Sequence, residues 1–218
     1  AGEAAMSVTT KRGDTGFTDL AGGRVPKNDP RIEALGVLDE LDAFLADARS
    51  ALEGAVDGAE GTGGAKVGND DAESEKNEKT AILDAVRREL FQISALLAAK
   101  DPRKSASQIK GSLERVEGWA AGLEKKYPMR GFFYRWTKPG AIKLNIARTV
   151  CRRAERRLYP PSEEEPAPEG RGASGHPVRS GHPAAFGIGP FINRLSDLLF
   201  LLALAEERSG RQESAPAT

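Results

Sequence analysis

Arg148, Arg152 and Glu155 stand at i, i+4 and i+7 in the stretch ARTVCRRAERR, so a helix there carries two guanidinium groups and a carboxylate on one stripe. Arg153 and Arg156 fall on the adjoining stripe. Planar guanidinium forks suit phosphate oxygens, and a neighbouring carboxylate can orient them or help to hold a metal. The same spacing also describes a solvated helix laced by Arg–Glu pairs, and spacing alone leaves both readings open. A second stretch, Thr10-Lys11-Arg12-Gly13-Asp14-Thr15-Gly16-Phe17-Thr18 followed by Gly22-Gly23-Arg24-Val25-Pro26-Lys27, combines glycines, hydroxyls and cations. A backbone cradle for polyphosphate needs those properties: close approach, amide donors and compensating charge. It contains neither a Gly-x-x-x-x-Gly-Lys-Ser/Thr loop nor a Gly-x-Gly-x-x-Gly after a strand, and a plain N-terminal arm fits it as well. A third feature is Asn193, one turn before Asp197 at the start of an otherwise apolar segment; a cap or a satisfied amide is the alternative there.

What the chain lacks narrows the chemistry. Its two histidines, His176 and His182, both lie in a Gly/Pro/Ser-rich stretch. A Ser-His-Asp triad, a three-His zinc site and the Glu-x-x-His pairs of di-iron bundles all need histidines on a rigid element. Cys151 is the single cysteine, which excludes an internal disulfide framework and fits a reducing, cytoplasmic setting. Lys+Arg and Asp+Glu are 32 each, so a broad basic surface for nucleic acid is not expected. No apolar run reaches the roughly 18 residues that a membrane span needs, and the N-terminus lacks a signal-peptide pattern. The expectation is a soluble protein.

The elements that position these residues are helical by period. After Asp29-Pro30, a cap followed by proline at the first helical position, apolar residues recur at Leu35, Leu38, Leu41, Leu45, Ala48 and Leu52. Ile82, Val86, Leu90, Ile93 and Leu97 mark a second helix, and Ile109, Leu113, Val116, Ala120 and Leu123 a third. A fourth runs from about Ala141 to Leu158, and a fifth starts near Pro190 and ends before Gly210. No stretch shows convincing period-2 alternation. The expected fold is all-α, an up-and-down five-helix bundle forming a single domain over 7–209. Segments 54–80 and 160–189 are poor in large apolar side chains and are expected to be mobile inserts, with a disordered tail over 210–218.

TKRGDTGFTDLAGGRVPKNDPRIEALGVLDELDAF, ARTVCRRAERRL and INRLSDLLF together resemble, in the same order, the signature blocks of the PduO-type ATP:corrinoid adenosyltransferases. The resemblance covers about Ser7 to Leu52 and Phe132 to Arg208. It implies a five-helix bundle assembled as a homotrimer, with ATP and the corrinoid bound between neighbouring subunits. It also implies transfer of the 5′-deoxyadenosyl group of ATP to the cobalt of cob(I)alamin with release of triphosphate, assisted by Mg2+. By motif, Thr10, Lys11, Arg12, Gly13, Thr18, Asp19 and Lys27 match the family's ATP loop. Arg148, Arg152, Arg153, Glu155 and Arg156 match its arginine-rich helix, and Asn193 its nucleotide-binding asparagine. Asp39 matches the aspartate that pairs with the residue at Arg148. Phe132 occupies the place of the aromatic that excludes the lower axial ligand of cobalt, with Phe133 beside it.

The sequence departs from that pattern at Thr15, where the family usually has lysine, at Arg135-Trp136-Thr137, where Pro-Gly-Gly is usual, and at Asn145, where histidine is usual. The aromatic segment GFFYRW can line a corrin ring or pack as a core plug. A non-catalytic ATP/cobalamin carrier or sensor on the same fold is the alternative activity. A cob(II)alamin reductase and an adenosylcobalamin-dependent enzyme are the expected protein partners, with no nucleic acid and no membrane.

Overall fold

The computed structural model describes residues 9, 11–54, 70–99, 106–129, 134–159 and 188–209, with the side chains of 106–108 excepted. Five helices dominate: α1 (Pro30–Gly54), α2 (Asp70–Ala98), α3 (Ala106–Lys126), α4 (Pro139–Leu158) and α5 (Ile188–Arg208). α1 starts as its sequence dictates. Oδ1 of Asp29 accepts the Arg31 backbone N–H at 2.9 Å, which satisfies a donor at the helix start, and Pro30 occupies a position needing no donor. Its apolar stripe, including Leu38, Leu41, Leu45, Ala48 and Leu52, is buried. Each such leucine contributes about 1.5–3 kcal/mol when fully removed from water.

Interhelical pairs reveal the directions. Asp42 meets Arg87 and Arg49 meets Asp84 between α1 and α2, so rising numbers on one helix meet falling numbers on the other. Asp47 with Lys143 and Glu33 with Arg157 run α1 against α4 in the same sense. Glu75 with Lys126 and Glu89 with Arg115 do so for α2 and α3. α5 opposes α4, because Cys151 Sγ donates to the Ile192 carbonyl while Gly140 lies against Glu206. The expected up-and-down arrangement follows, with α4 packed between α1 and α5.

One expectation is met only in part and another is corrected. The chain is mostly helical but not all-α, since β1 (Phe17–Leu20) and β2 (Gly23–Pro26) pair antiparallel, with Phe17 opposite Pro26 and Leu20 opposite Gly23. Ala21-Gly22 make the two-residue turn, and Gly23 takes φ 124°, a conformation glycine allows at no steric cost. The segment expected as an insert over 54–80 is helix from Asp70 onward. Asp70, Asp71 and Glu73 favour a helix N-terminus electrostatically, and Lys79 and Thr80 are already buried. Segments 55–69 and 160–187 and the tail 210–218 lie outside the described residues.

The end of the bundle at the α4 N-terminus is locked by polar groups. The Glu207 carboxylate accepts the backbone N–H of Thr137 at 2.8 Å and of Lys138 at 3.1 Å, capping α4 from the neighbouring helix. A methyl on Gly140 would stand 2.8 Å from Cδ2 of Leu52 and 3.1 Å from Cγ of Glu206, so a larger residue there displaces those side chains. α5 forms the centre of the core. Against the expectation of no such run, it is long and apolar enough to cross a membrane, with mean hydropathy 1.5 over its best window, yet 72% of that window is buried within the bundle. That is how a core helix behaves.

Candidate functional site

α4 presents two differently charged faces. Toward α1, Arg153 is ion-paired with Glu40, Arg157 with Glu33 at 3.1 Å and Lys143 with Asp47 at 2.5 Å. Beside α5, Arg148 is partly buried, and Nε donates to Oδ1 of Asn145 at 2.9 Å rather than to a carboxylate. Burial, and then the nearby Arg152 charge, hold the Arg148 pKa below the ordinary arginine value, the mark of a cation placed where positive charge is costly. Arg152 and Arg156 are exposed and make no hydrogen bond or ion pair to another described residue. Glu155, the carboxylate of the stripe, accepts a hydrogen bond from Nδ2 of Asn193 on α5 at 2.7 Å. Arg148, Arg152 and Glu155 thus share one face of α4, and Asn193 joins it through Glu155. Arg153 is turned away into the α1 pair, and its buried Nε has no partner among the described residues.

The N-terminal stretch forms a second cluster. Lys11 has φ 56°, a left-handed conformation that a side chain other than glycine's adopts at a cost of roughly 1 kcal/mol. The chain then turns through Asp14 N–H to Lys11 O and Gly16 N–H to Gly13 O, both 3.3 Å, before entering β1. Gly13 and Lys27 are packed together. A methyl on Gly13 would stand 3.2 Å from Nζ of Lys27, so the missing side chain leaves room for the ammonium against the backbone. Arg12 pairs with Asp19 at 3.1 Å, and Thr18 on β1 is partly buried opposite Val25. Arg24 donates to the Arg12 carbonyl and to Oγ1 of Thr15. Lys11, Arg12, Arg24 and Lys27 thus surround one small glycine turn. The hairpin is fixed to the bundle by Ala21 N–H donating to the Ala98 carbonyl at 3.2 Å. Thr10 lies outside the described residues.

The two clusters are not joined. Among the described residues, no bond links the hairpin to α4 or α5. Asp39 and Arg148, both among the described residues, are likewise not bonded to each other within one chain. Asp39 is exposed at the rim of a groove of about 930 Å³ between α1 and α2, which also holds Leu35, Arg88 and Phe91. Phe132 and Phe133 lie outside the described residues. The next aromatics, Tyr134 and Trp136, stack at 5.7 Å between ring centroids and both meet Phe200 of α5 edge-on. Those two rings act as a plug against the bundle.

Sequence reasoning missed the tasks of Arg24, Asn145 and Glu40. The Arg24 contact needs the hairpin register and the Glu40 contact needs the α1–α4 packing, neither of which spacing reveals. Asn145 was visible at i−3 from Arg148, where a helix brings side chains together.

Comparison with known proteins places the chain. A family model described as cobalamin adenosyltransferase matches residues 8–206. The corrinoid adenosyltransferase PduO of Salmonella typhimurium is 32% identical over 95% of this chain, which spans about half, 52%, of that relative's length. The corrinoid adenosyltransferase of Bacillus subtilis is 30% identical over 94% of this chain and 89% of its own. Among solved structures, a variant PduO-type ATP:corrinoid adenosyltransferase from Lactobacillus reuteri complexed with cobalamin and ATP aligns with a TM-score of 0.62 at 26% identity, covering 92% of this chain and 93% of that one. The match along nearly the whole bundle, with both polar clusters inside it, means that this chain belongs to the cobalamin adenosyltransferase family.

Proposed function

We propose that the chain transfers the 5′-deoxyadenosyl group of ATP to the cobalt of cob(I)alamin. The observation that carries this reading is that Arg148, Arg152 and, on the adjoining stripe, Arg156 have no carboxylate partner among the described residues, beside the Asn193–Glu155 pair. The cobalt electron pair attacks C5′, the Co–C bond forms, the C5′–O bond breaks and its electron pair leaves with triphosphate. Cob(I)alamin is a strong nucleophile, so no activated Ser, Cys or His is required. The protein's task is to align C5′ and to stabilise the departing charge with fixed cations. Arg152 and Arg156 with Asn193 serve the nucleotide on one side, and Lys11, Gly13, Lys27 and the Arg12–Asp19 pair serve it on the other. Thr10 and Thr18 complete that loop.

Magnesium enters as the ATP complex. Among the described residues no group of three His, Cys, Asp or Glu side chains converges as a ready-made metal site. Magnesium usually takes most of its ligands from phosphate oxygens and water, and Glu155, the carboxylate of the stripe, would be the protein group on α4 able to contribute one. Phe132 acts on the corrinoid side, excluding the lower axial ligand so that Co(II) is more easily reduced. The electron comes from a partner reductase, and the product passes to an adenosylcobalamin-dependent enzyme in the cytoplasm.

No bond among the described residues joins the two clusters, which fits a site completed across a subunit boundary; the assembly is a homotrimer in which Asp39 of one copy pairs with Arg148 of the next. A sedimentation experiment giving three times the chain mass of 23.3 kDa supports this assembly, and a monomer that turns over rejects it. Thr15 favours the second reading, a carrier or sensor that binds ATP or cobalamin without turnover, because the loop has one cation fewer there. The deciding experiment supplies Mg-ATP and chemically reduced cob(I)alamin and follows the adenosylcobalamin spectrum and triphosphate release. Both products appear and both are lost in Arg152→Ala if the transferase reading holds. Tight binding without product selects the carrier.

A further inference from the structure

Arg24 belongs to no element of the arginine stripe, yet it makes two contacts that no other side chain of the hairpin makes. Its Nη2 donates to the main-chain carbonyl of Arg12 and to Oγ1 of Thr15 at 3.3 Å. One amino group with two N–H bonds thus serves two acceptors on opposite arms of the turn. The first acceptor directly follows Lys11, whose φ of 56° is a conformation that persists only where surrounding contacts enforce it. The second is the hydroxyl of the residue two past Gly13, the glycine against which Lys27 packs. Arg24 itself is fixed by its place on β2, directly opposite Asp19, and Asp19 holds the Arg12 side chain. Both ends of the turn are therefore referred to one rigid strand.

We infer that Arg24 is the positioning residue of the nucleotide loop, holding Lys11 to Thr15 in the shape that receives the triphosphate before ATP arrives. The inference rests on the ATP reading above and deepens it. Arg24 acts through the Arg12 carbonyl and the Thr15 hydroxyl, not through the reacting atoms. Thr15 is the fitting partner, since a hydroxyl accepts from a guanidinium, whereas a cationic side chain there would repel it. Loop order that the protein supplies in advance is order that ATP binding need not supply.

The test titrates Mg-ATP into corrinoid-free protein by calorimetry, then measures KM and kcat for ATP with preformed cob(I)alamin, for wild type, Arg24→Ala, Arg24→Lys and Thr15→Val. Arg24 is exposed, so its variants are expected to melt with the wild type. Arg24→Ala should weaken ATP binding and raise its KM about tenfold, with kcat at saturating ATP and the corrinoid KM within about twofold, as for lost uniform binding. Arg24→Lys keeps the charge but not the planar fork and should remain within about threefold of the alanine variant. Thr15→Val should raise KM about threefold, and combining it with Arg24→Ala should add nothing, as for partners in one contact. Unchanged ATP binding in Arg24→Ala, or full rescue by lysine, overturns the inference while the transferase reading stands. A wild type that neither binds nor uses ATP sinks both.

Discussion

Lys79 and Glu206 form the most deeply buried ion pair among the described residues, and replacing Lys79 by methionine should unfold the bundle at a much lower temperature. Nζ stands 2.5 Å from Oε2, with the lysine side chain 4% and the glutamate 11% exposed. Glu206 also packs against Gly140 of α4. Methionine fills the lysine's volume but leaves the largely buried carboxylate without its ion-pair partner. Breaking such a pair from one side costs about 3–5 kcal/mol, most of it the isolated charge. For a domain of this size each kcal/mol moves Tm by roughly 2–4 °C, so the expected fall is roughly 6–20 °C. The assay is a thermal melt at fixed protein concentration without nucleotide, because ligands and association both raise Tm. Lys79→Met/Glu206→Leu should recover most of the loss, since replacing both partners by apolar groups is often near neutral. The KM for ATP of the folded single variant should be unchanged, because the pair lies at the end of the bundle away from the hairpin. A single variant melting within about 2 °C of wild type, or a double variant no better than the single, refutes the reasoning.

Asp29 gives the pH prediction. The Arg31 side-chain hydrogen bond holds its carboxyl below the ordinary value, so its contribution is fully present above that value and fades as pH falls through the lowered one. The stability gap between wild type and Asp29→Asn, about 1 kcal/mol or less near neutrality, should therefore shrink between about pH 5 and pH 2, and a gap that is flat in chemical denaturation across that range contradicts it. Burial pushes the Cys151 thiol far above its usual range, and its Sγ donates to the Ile192 carbonyl. Iodoacetamide at pH 8 should leave it unlabelled in native protein and label it fully in denaturant, as mass spectrometry would read. Phe132→Ala should slow turnover from Co(II) with a reductant more than turnover from preformed cob(I)alamin, and equal losses on both routes dispose of the axial-ligand role.

The helices were legible because each buries one face. Leu38, Leu41, Leu45, Ala48 and Leu52 recur at helical spacing and are all buried. The hairpin was not, because neither of its strands has a buried side. Its residues are only exposed or half-buried, with Phe17 46% exposed, so period 2 leaves no apolar signature. The first turns of α2 were hidden for the opposite reason: DDAESEKNEK reads as solvated, yet Lys79 is buried by its partner on α5, which only tertiary structure reveals. Charge at the site divided in the same way. Spacing puts Arg148, Arg152 and Glu155 on one stripe, but which arginine is spent on α1 depends on where α1 lies. Arg153, one residue from Arg152, is consumed there, and so is Arg157.

That division explains how one helix can be both strut and binding surface. Facing α1, α4 matches cation to carboxylate at Lys143, Arg153 and Arg157, which holds its rotation about its own axis. Facing α5, the arginines are left out of ion pairs among the described residues: Asn145, a neutral acceptor, holds Arg148, and Glu155 accepts from Asn193 instead of from an arginine. An aspartate at 145 would satisfy the same hydrogen bond and cancel the charge. The neutral amide keeps the guanidinium oriented and its field intact, and cations fixed in this way strengthen interaction with an anion without reorganising when it arrives. A polyanionic leaving group is the kind of ligand such a face suits, and the opposite, paired face keeps the stripe from turning away from it.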